Sequence, residues 1–155
     1  MPYVLLITFL IIVDQISKYE VHKRFFQGET HPIIGEFFHL TYVQNRGIAF
    51  GFFQGKLDII SALTIVAILG IGVYFYKNFK KLPVMEKLGY SFILGGALGN
   101  IIDRLYRGFV IDMIDFRGIW TFVFNLADVW INIGVIFILL DSFIKERSKK
   151  QEEIK

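Results

Sequence analysis

The chain has 155 residues, 54% of them hydrophobic, with 17 Lys plus Arg against 14 Asp plus Glu, a formal net charge of +3 and no cysteine. Its mean hydropathy of +0.52 is well above that of a soluble domain of this size, so the surplus needs lipid as its solvent and the class implied is an integral membrane protein. The small positive excess calls for no nucleic-acid partner, and the missing thiols exclude disulfides, thiol catalysis and cysteine metal sites.

Four apolar segments follow in chain order: Tyr3 to Ile16, Leu57 to Tyr76, Leu88 to Ile102 and Leu126 to Ile144. They predict transmembrane helices at about 2–20, 57–77, 86–104 and 126–145, in one domain spanning 1–155. The second and fourth reach the roughly 30 Å of a bilayer's hydrocarbon unaided, whereas the first and third need flanking residues such as Ser17 and Asp103. Only Met1 and Pro2 precede the first segment, with no cation, and no small-residue cleavage pattern follows it. It therefore reads as a retained helix, not a cleavable signal peptide. It carries Asp14, with Lys18 four residues later.

Cations near the helix ends set the orientation. The connector Lys77 to Lys87 holds Lys77, Lys80, Lys81 and Lys87, and the tail holds Lys145, Arg147, Lys149, Lys150 and Lys155. Both are denser in Lys and Arg than the segments Lys18 to Lys56 and Arg104 to Arg117. The connector, the tail and both termini are thus expected in the cytoplasm, with the tail touching anionic headgroups.

On the outer side, Phe37 to Phe53 (FFHLTYVQNRGIAFGFF) is β-branched and aromatic around Asn45-Arg46-Gly47. This predicts a small extracytoplasmic β-sheet or hairpin at about 32–54, turning at Asn45 to Gly47 and lying on the outer leaflet. The third helix is rich in small residues, Gly89, Gly95, Gly96, Ala97 and Gly99, which specify close helix packing. Asn100, Asp103 and Arg104 share one of its faces near its outer end. A 21-residue connection from Arg104 to Phe124 then folds back to the fourth helix and carries Asp112 and Asp115. By itself Asp112 reads as a solvated loop acid. Asn125 and Asp128, in FNLAD, have the spacing of a capping box.

Two carboxylates held together at a partly dry interface can share a proton, because desolvation and like charge oppose double ionisation. One can then activate water while the other donates a proton, which is aspartyl hydrolysis. The dipole of the fourth helix stabilises negative charge in its first turn, which suggests Asp128 as the initial base and Asp112 as the initial acid of a coupled pair.

Taken together, VDQISK (Val13 to Lys18), QNRGIAFG (Gln44 to Gly51), GGALGNIIDR (Gly95 to Arg104), GFVIDMIDF (Gly108 to Phe116) and FNLAD resemble the lipoprotein signal peptidase, or signal peptidase II, family. The resemblance runs over nearly the whole chain, and five ordered blocks are far more specific than any one. It implies an intramembrane aspartic endopeptidase of the bacterial cytoplasmic membrane, cutting prolipoproteins just before a diacylglyceryl-modified cysteine. By matching position, Asp112 and Asp128 look like the catalytic pair. Asn45, Asn100, Arg104 and Asn125 look like residues that position the substrate and the acids, and Asp14 like a buried structural acid. Asp103 competes with Asp112 for the catalytic role; the family pattern favours Asp112, leaving Asp103, with Asp14 and Lys18, as structural polar groups. The stretch RGIWTFVF between the two acids is shorter than the insert common in the family.

No metal or organic cofactor is expected, because carboxylates without a nearby His make a poor transition-metal site. The partners implied are diacylglyceryl-modified prolipoproteins and membrane lipids, with Phe50 and Phe52 as candidate lipid contacts and the chain itself a monomer. The active site is expected near the extracytoplasmic leaflet. Two other classes compete: a small ion or proton transporter with a relay through Asp14, Asp103, Asp128 and Asp141, and a scaffold using the glycines and aromatics. His22, His31 and His39 read as surface or interfacial residues.

Overall fold

A computed structural model describes residues 1–47 and 57–153. Phe50, Phe52 and the second half of the QNRGIAFG block lie outside the described residues. The order of elements is α1 (Pro2–Arg24), β1 (Thr30–Ile34), β2 (Phe38–Asn45), α2 (Leu57–Asn78), α3 (Val84–Arg107), β3 (Val110–Phe116) and α4 (Leu126–Glu153).

Four helices thus form where four apolar segments stand, but the polar content divides them. Among the described residues, α2 and α4 have the length and hydropathy of a membrane span. In α1 and α3, Asp14, Lys18, Asn100 and Asp103 interrupt the apolar run and are buried in the protein. Along their middle turns α1, α2 and α4 turn large apolar side chains outward, among them Phe9, Ile12, Leu63, Val66, Leu69, Ile136, Leu139 and Phe143. That exterior suits hydrocarbon and would be unusual facing water.

Glycine sets the spacing of the bundle. A Cβ on Gly89 would lie 2.7 Å from Ile138 and 2.9 Å from the carbonyl of Gly134, and one on Gly134 would lie 2.9 Å from the backbone nitrogen of Ile93. A Cβ on Gly96 would collide with the Ala127 carbonyl, so α3 and α4 touch backbone to backbone along one seam. Gly95 and Gly99 instead face α1, against Leu10 and Asp14. The expected close packing is what forms, divided between two partner helices.

At one end of the bundle, Phe75, Leu82 and Leu94 form a core with Tyr3, Ile7, Phe79 and Tyr90. Lys145 of α4 pairs there with Glu86 of α3. The N-terminus, the α2–α3 connector and the end of α4 therefore share one end. At the other, Val21, Tyr42, Ile111 and Met113 pack the sheet onto the last turns of α1.

Among the described residues the sheet has three antiparallel strands, in the order β1-β2-β3. The turn between β1 and β2 falls at Gly35 to Phe37, with Gly35 at φ +48°; the turn expected at Asn45 to Gly47 would lead into residues 48–56, which lie outside the described residues. Asn45 is the last residue of β2 and pairs with Val110 of β3. The third strand comes from the connection that the sequence reads as a loop. Gly108, at φ +74°, ends α3 in a left-handed turn and sends the chain straight into β3.

Candidate active site

β3 carries Asp112 inward. It is 2% exposed, so the solvated loop acid of the sequence reading is instead a buried strand residue, paired across the sheet with Val43. Asn45, at the end of β2, donates from Nδ2 to Asp112 Oδ2 at 2.9 Å. Asn125 donates from Nδ2 to Asp112 Oδ1 at 2.6 Å. Both carboxylate oxygens are thus held by amides, one from the sheet and one from the start of α4.

Asp128 stands in the first turn of α4. The capping box forms as its spacing suggests: the Asp128 N–H donates to Asn125 Oδ1 at 3.0 Å, and the Asn125 N–H donates to Asp128 Oδ2 at 3.3 Å. The cap and the site are the same atoms. Asn100 of α3 donates from Nδ2 to Asp128 Oδ1 at 2.8 Å, and its own Oδ1 accepts from Asn125 Nδ2 at 3.2 Å. Two amides therefore bridge the two carboxylates.

Behind them lies a fully buried ion cluster. Lys18 Nζ is 2.8 Å from Asp14 and 3.0 Å from Asp103, and donates to Asn100 Oδ1 at 2.9 Å. That last bond fixes the orientation of the Asn100 amide, leaving its NH₂ for Asp128. Asp14 Oδ1 also accepts the Ala127 N–H at 2.9 Å, so α1 pins the first turn of α4. Asp103 pairs with Lys18 and Arg107, not with adjacent Arg104, and accepts the Ile111 N–H at 3.3 Å. Arg104 is half-buried with Nε unpartnered, in electrostatic reach of Asp128, Asp112 and Asp103.

Burial, and next the negative charge of Asp128, push the Asp112 carboxyl up to about 7, against the opposing pull of the Asn45 and Asn125 hydrogen bonds and of Lys18. Asp112 thus retains its proton toward neutral pH. Asp112 and Asp128 line a single cavity of about 680 Å³, whose walls are otherwise mainly apolar, including Phe37, Phe116, Trp120 and Phe124. A buried acid that is half protonated, beside a second acid in an apolar cavity, can supply both an acid and a base to one bond.

The structure gathers nine of the residues singled out in the sequence: Asp14, Lys18, Asn45, Asn100, Asp103, Arg104, Asp112, Asn125 and Asp128. The sequence reading left out Gln15, which donates to Asp103 at 3.1 Å, and Arg107 and Asn132, which follow Asp103 and Asp128 by four residues. The i, i+4 spacing was the available signal. Of the histidines, His22 and His31 are exposed, but His39 is buried within the sheet at 3% exposure. Asp141 is not left to solvent either: it is buried and pairs with Lys145 at 2.6 Å, some three and a half turns of α4 from Asp128. Among the described residues, no group of three or more His, Asp or Glu is arranged to hold a metal ion.

Fold and site together define a helical bundle with an apolar exterior and two acids lining one cavity at the sheet end. The family model for signal peptidase (SPase) II matches residues 6–144. The lipoprotein signal peptidase of Fusobacterium nucleatum subsp. nucleatum is 55% identical over 150 residues, covering 97% of this chain and 91% of that one. That of Clostridioides difficile is 45% identical over 140 residues, covering 90% and 93%. A solved bacterial membrane enzyme, determined by the in meso method at 2.3 Å, superimposes with a TM-score of 0.87 at 32% identity, covering 96% of this chain and 91% of the other. The chain belongs to the signal peptidase II family of membrane proteases.

Proposed function

We propose that this chain removes signal peptides from prolipoproteins, cutting on the N-terminal side of a diacylglyceryl-modified cysteine with Asp112 and Asp128 as the catalytic dyad. The observation that carries the reading is one cavity lined by both acids, with their carboxylates bridged by the amides of Asn100 and Asn125. In the bacterial cytoplasmic membrane all four helices cross the bilayer, termini in the cytoplasm, and the sheet lies at the outer leaflet. The lipid-anchored substrate then presents its scissile bond at the depth of the dyad.

Asp128, at the positive end of α4, takes a proton from water, and the hydroxide adds to the scissile carbonyl. Asp112 gives its proton to the carbonyl oxygen, so the intermediate is a neutral gem-diol. On collapse, Asp112 recovers a proton from one diol hydroxyl and Asp128 gives its proton to the departing nitrogen, which restores the starting state. Arg104 and Asn45 position the substrate backbone and Asp112, while Asp14, Lys18 and Asp103 hold the frame. The enzyme works as a monomer, with no metal.

The test is cleavage of a diacylglyceryl-modified prolipoprotein by purified protein in detergent. Wild type cuts before the lipidated cysteine, and folded Asp112→Asn and Asp128→Asn each lose at least about a thousandfold in kcat/KM. Near wild-type turnover in either variant would remove that acid from the mechanism. The relay reading is less favoured, because Asp14, Asp103 and Asp128 cluster at one end while Asp141 belongs to the ion pairs at the other.

A further inference from the structure

Four polar side chains line the cavity: Asn45, Asp112, Asp128 and Asn132. The first three belong to the bonded network around the acids. Asn132 stands apart from it. Its Nδ2 donates to the Asp128 carbonyl at 2.9 Å, within its own helix, which holds the side chain in one orientation while the residue stays exposed to the cavity. Its helical neighbours on that wall are Ile131 and Asp128, and the remaining liners are aromatic or aliphatic. A carboxamide at this level of a membrane helix is costly unless it meets a polar partner.

A peptide to be hydrolysed must lie extended at the scissile bond, which leaves its N–H and C=O groups without intrachain partners in an apolar cavity. Asn132 is one helical turn beyond Asp128, about 6 Å along α4 and away from the sheet. An extended chain advances about 3.3 Å per residue, so that distance corresponds to about two residues. On the proposed reading, the signal segment runs from the cut along α4 in that direction. Resting on that reading, we infer that Asn132 Oδ1 accepts the backbone N–H of the substrate residue about two positions before the cut, and so holds that segment extended across the dyad.

The experiment pairs a side-chain change with a backbone change. A lipidated synthetic substrate is made as the amide and as the ester analogue that replaces only that N–H by oxygen, and each is cleaved by wild type and by Asn132→Leu in detergent. Because Asn132 is exposed and bonded only to its own helix, the variant folds, and its thermal unfolding midpoint is measured to check this. The expected result is a fivefold to tenfold fall in kcat/KM for Asn132→Leu on the amide, a similar fall for wild type on the ester, and no further fall for the variant on the ester. Equal ester sensitivity in both proteins, or full activity of the variant on the amide, overturns the inference. If wild type fails to cut the amide substrate at all, the peptidase reading itself falls, and this inference with it.

Discussion

Asp112 holds its proton to about pH 7 because the strand that carries it is sealed against the bundle and faces a second acid. Where that proton is needed to protonate the carbonyl, kcat/KM declines as pH rises through about 7, approaching tenfold per unit beyond it. A pH profile on one substrate checks this; a flat profile from 6 to 9 would take the general acid away from Asp112. At Lys18 the concern is stability. It is one cation held against two buried carboxylates, so Lys18→Met leaves Asp14 without its cation and Asp103 with Arg107 alone, a loss of about 3–5 kcal/mol. The expected outcome is little folded protein by size-exclusion in detergent. These single residues were legible as types: an Asp inside an apolar segment, with a Lys four residues on, implies an ion pair on chemistry alone. Their partners across the fold were not. That Asp103 pairs with Lys18, or that Asp14 caps α4, depends on contacts 85 to 113 residues apart in sequence, which no local pattern encodes.

Among the elements, the helix seam has the sharpest tolerance. Gly96 faces the Ala127 carbonyl, one residue before Asp128, so even Gly96→Ala forces α4 outward and shifts the acid it presents. About 1–3 kcal/mol of stability is lost, together with a fall in kcat beyond what the folded fraction explains. Gly70 on α2 has open space within 4 Å of where a Cβ would stand, so Gly70→Ala is neutral or stabilising by up to about 1 kcal/mol. Thermal unfolding of the two variants side by side tests the contrast. Helices were the most legible elements, because apolar length and small-residue spacing are local properties. The sheet was half legible. The β-branched, aromatic character of Phe38–Asn45 foretold a strand, but the Asn-Arg-Gly turn signal fell where β2 ends, and β3 hid in a connection whose acids made it read as solvated. A strand buried by the sheet and helices together need not alternate in polarity.

For the whole molecule, the absence of cysteine makes a ready background for single-site labelling. On the proposed orientation, a cysteine replacing exposed Lys81 in the α2–α3 connector reacts with an impermeant thiol reagent only from the cytoplasmic side. One replacing exposed Glu36 at the β1–β2 turn reacts only from outside. The reverse pattern would invert the orientation and detach the sheet from the substrate side. The class of the molecule was the most legible property of all, since composition alone requires lipid. Which helices meet that lipid, and which keep their charges among themselves, needed the assembled bundle.

The bond from the Ala127 N–H to Asp14 has a consequence for how the protein is made. The acceptor emerges from the ribosome 113 residues before the donor, on the order of ten seconds at ordinary synthesis rates. Throughout that wait α1 must hold a carboxylate in the membrane without its final partner. Lys18, one turn away on the same helix, can neutralise Asp14 from the moment α1 forms. The first helix therefore carries its own temporary counterion, and the arrival of α4 converts a self-contained pair into the anchor of the site.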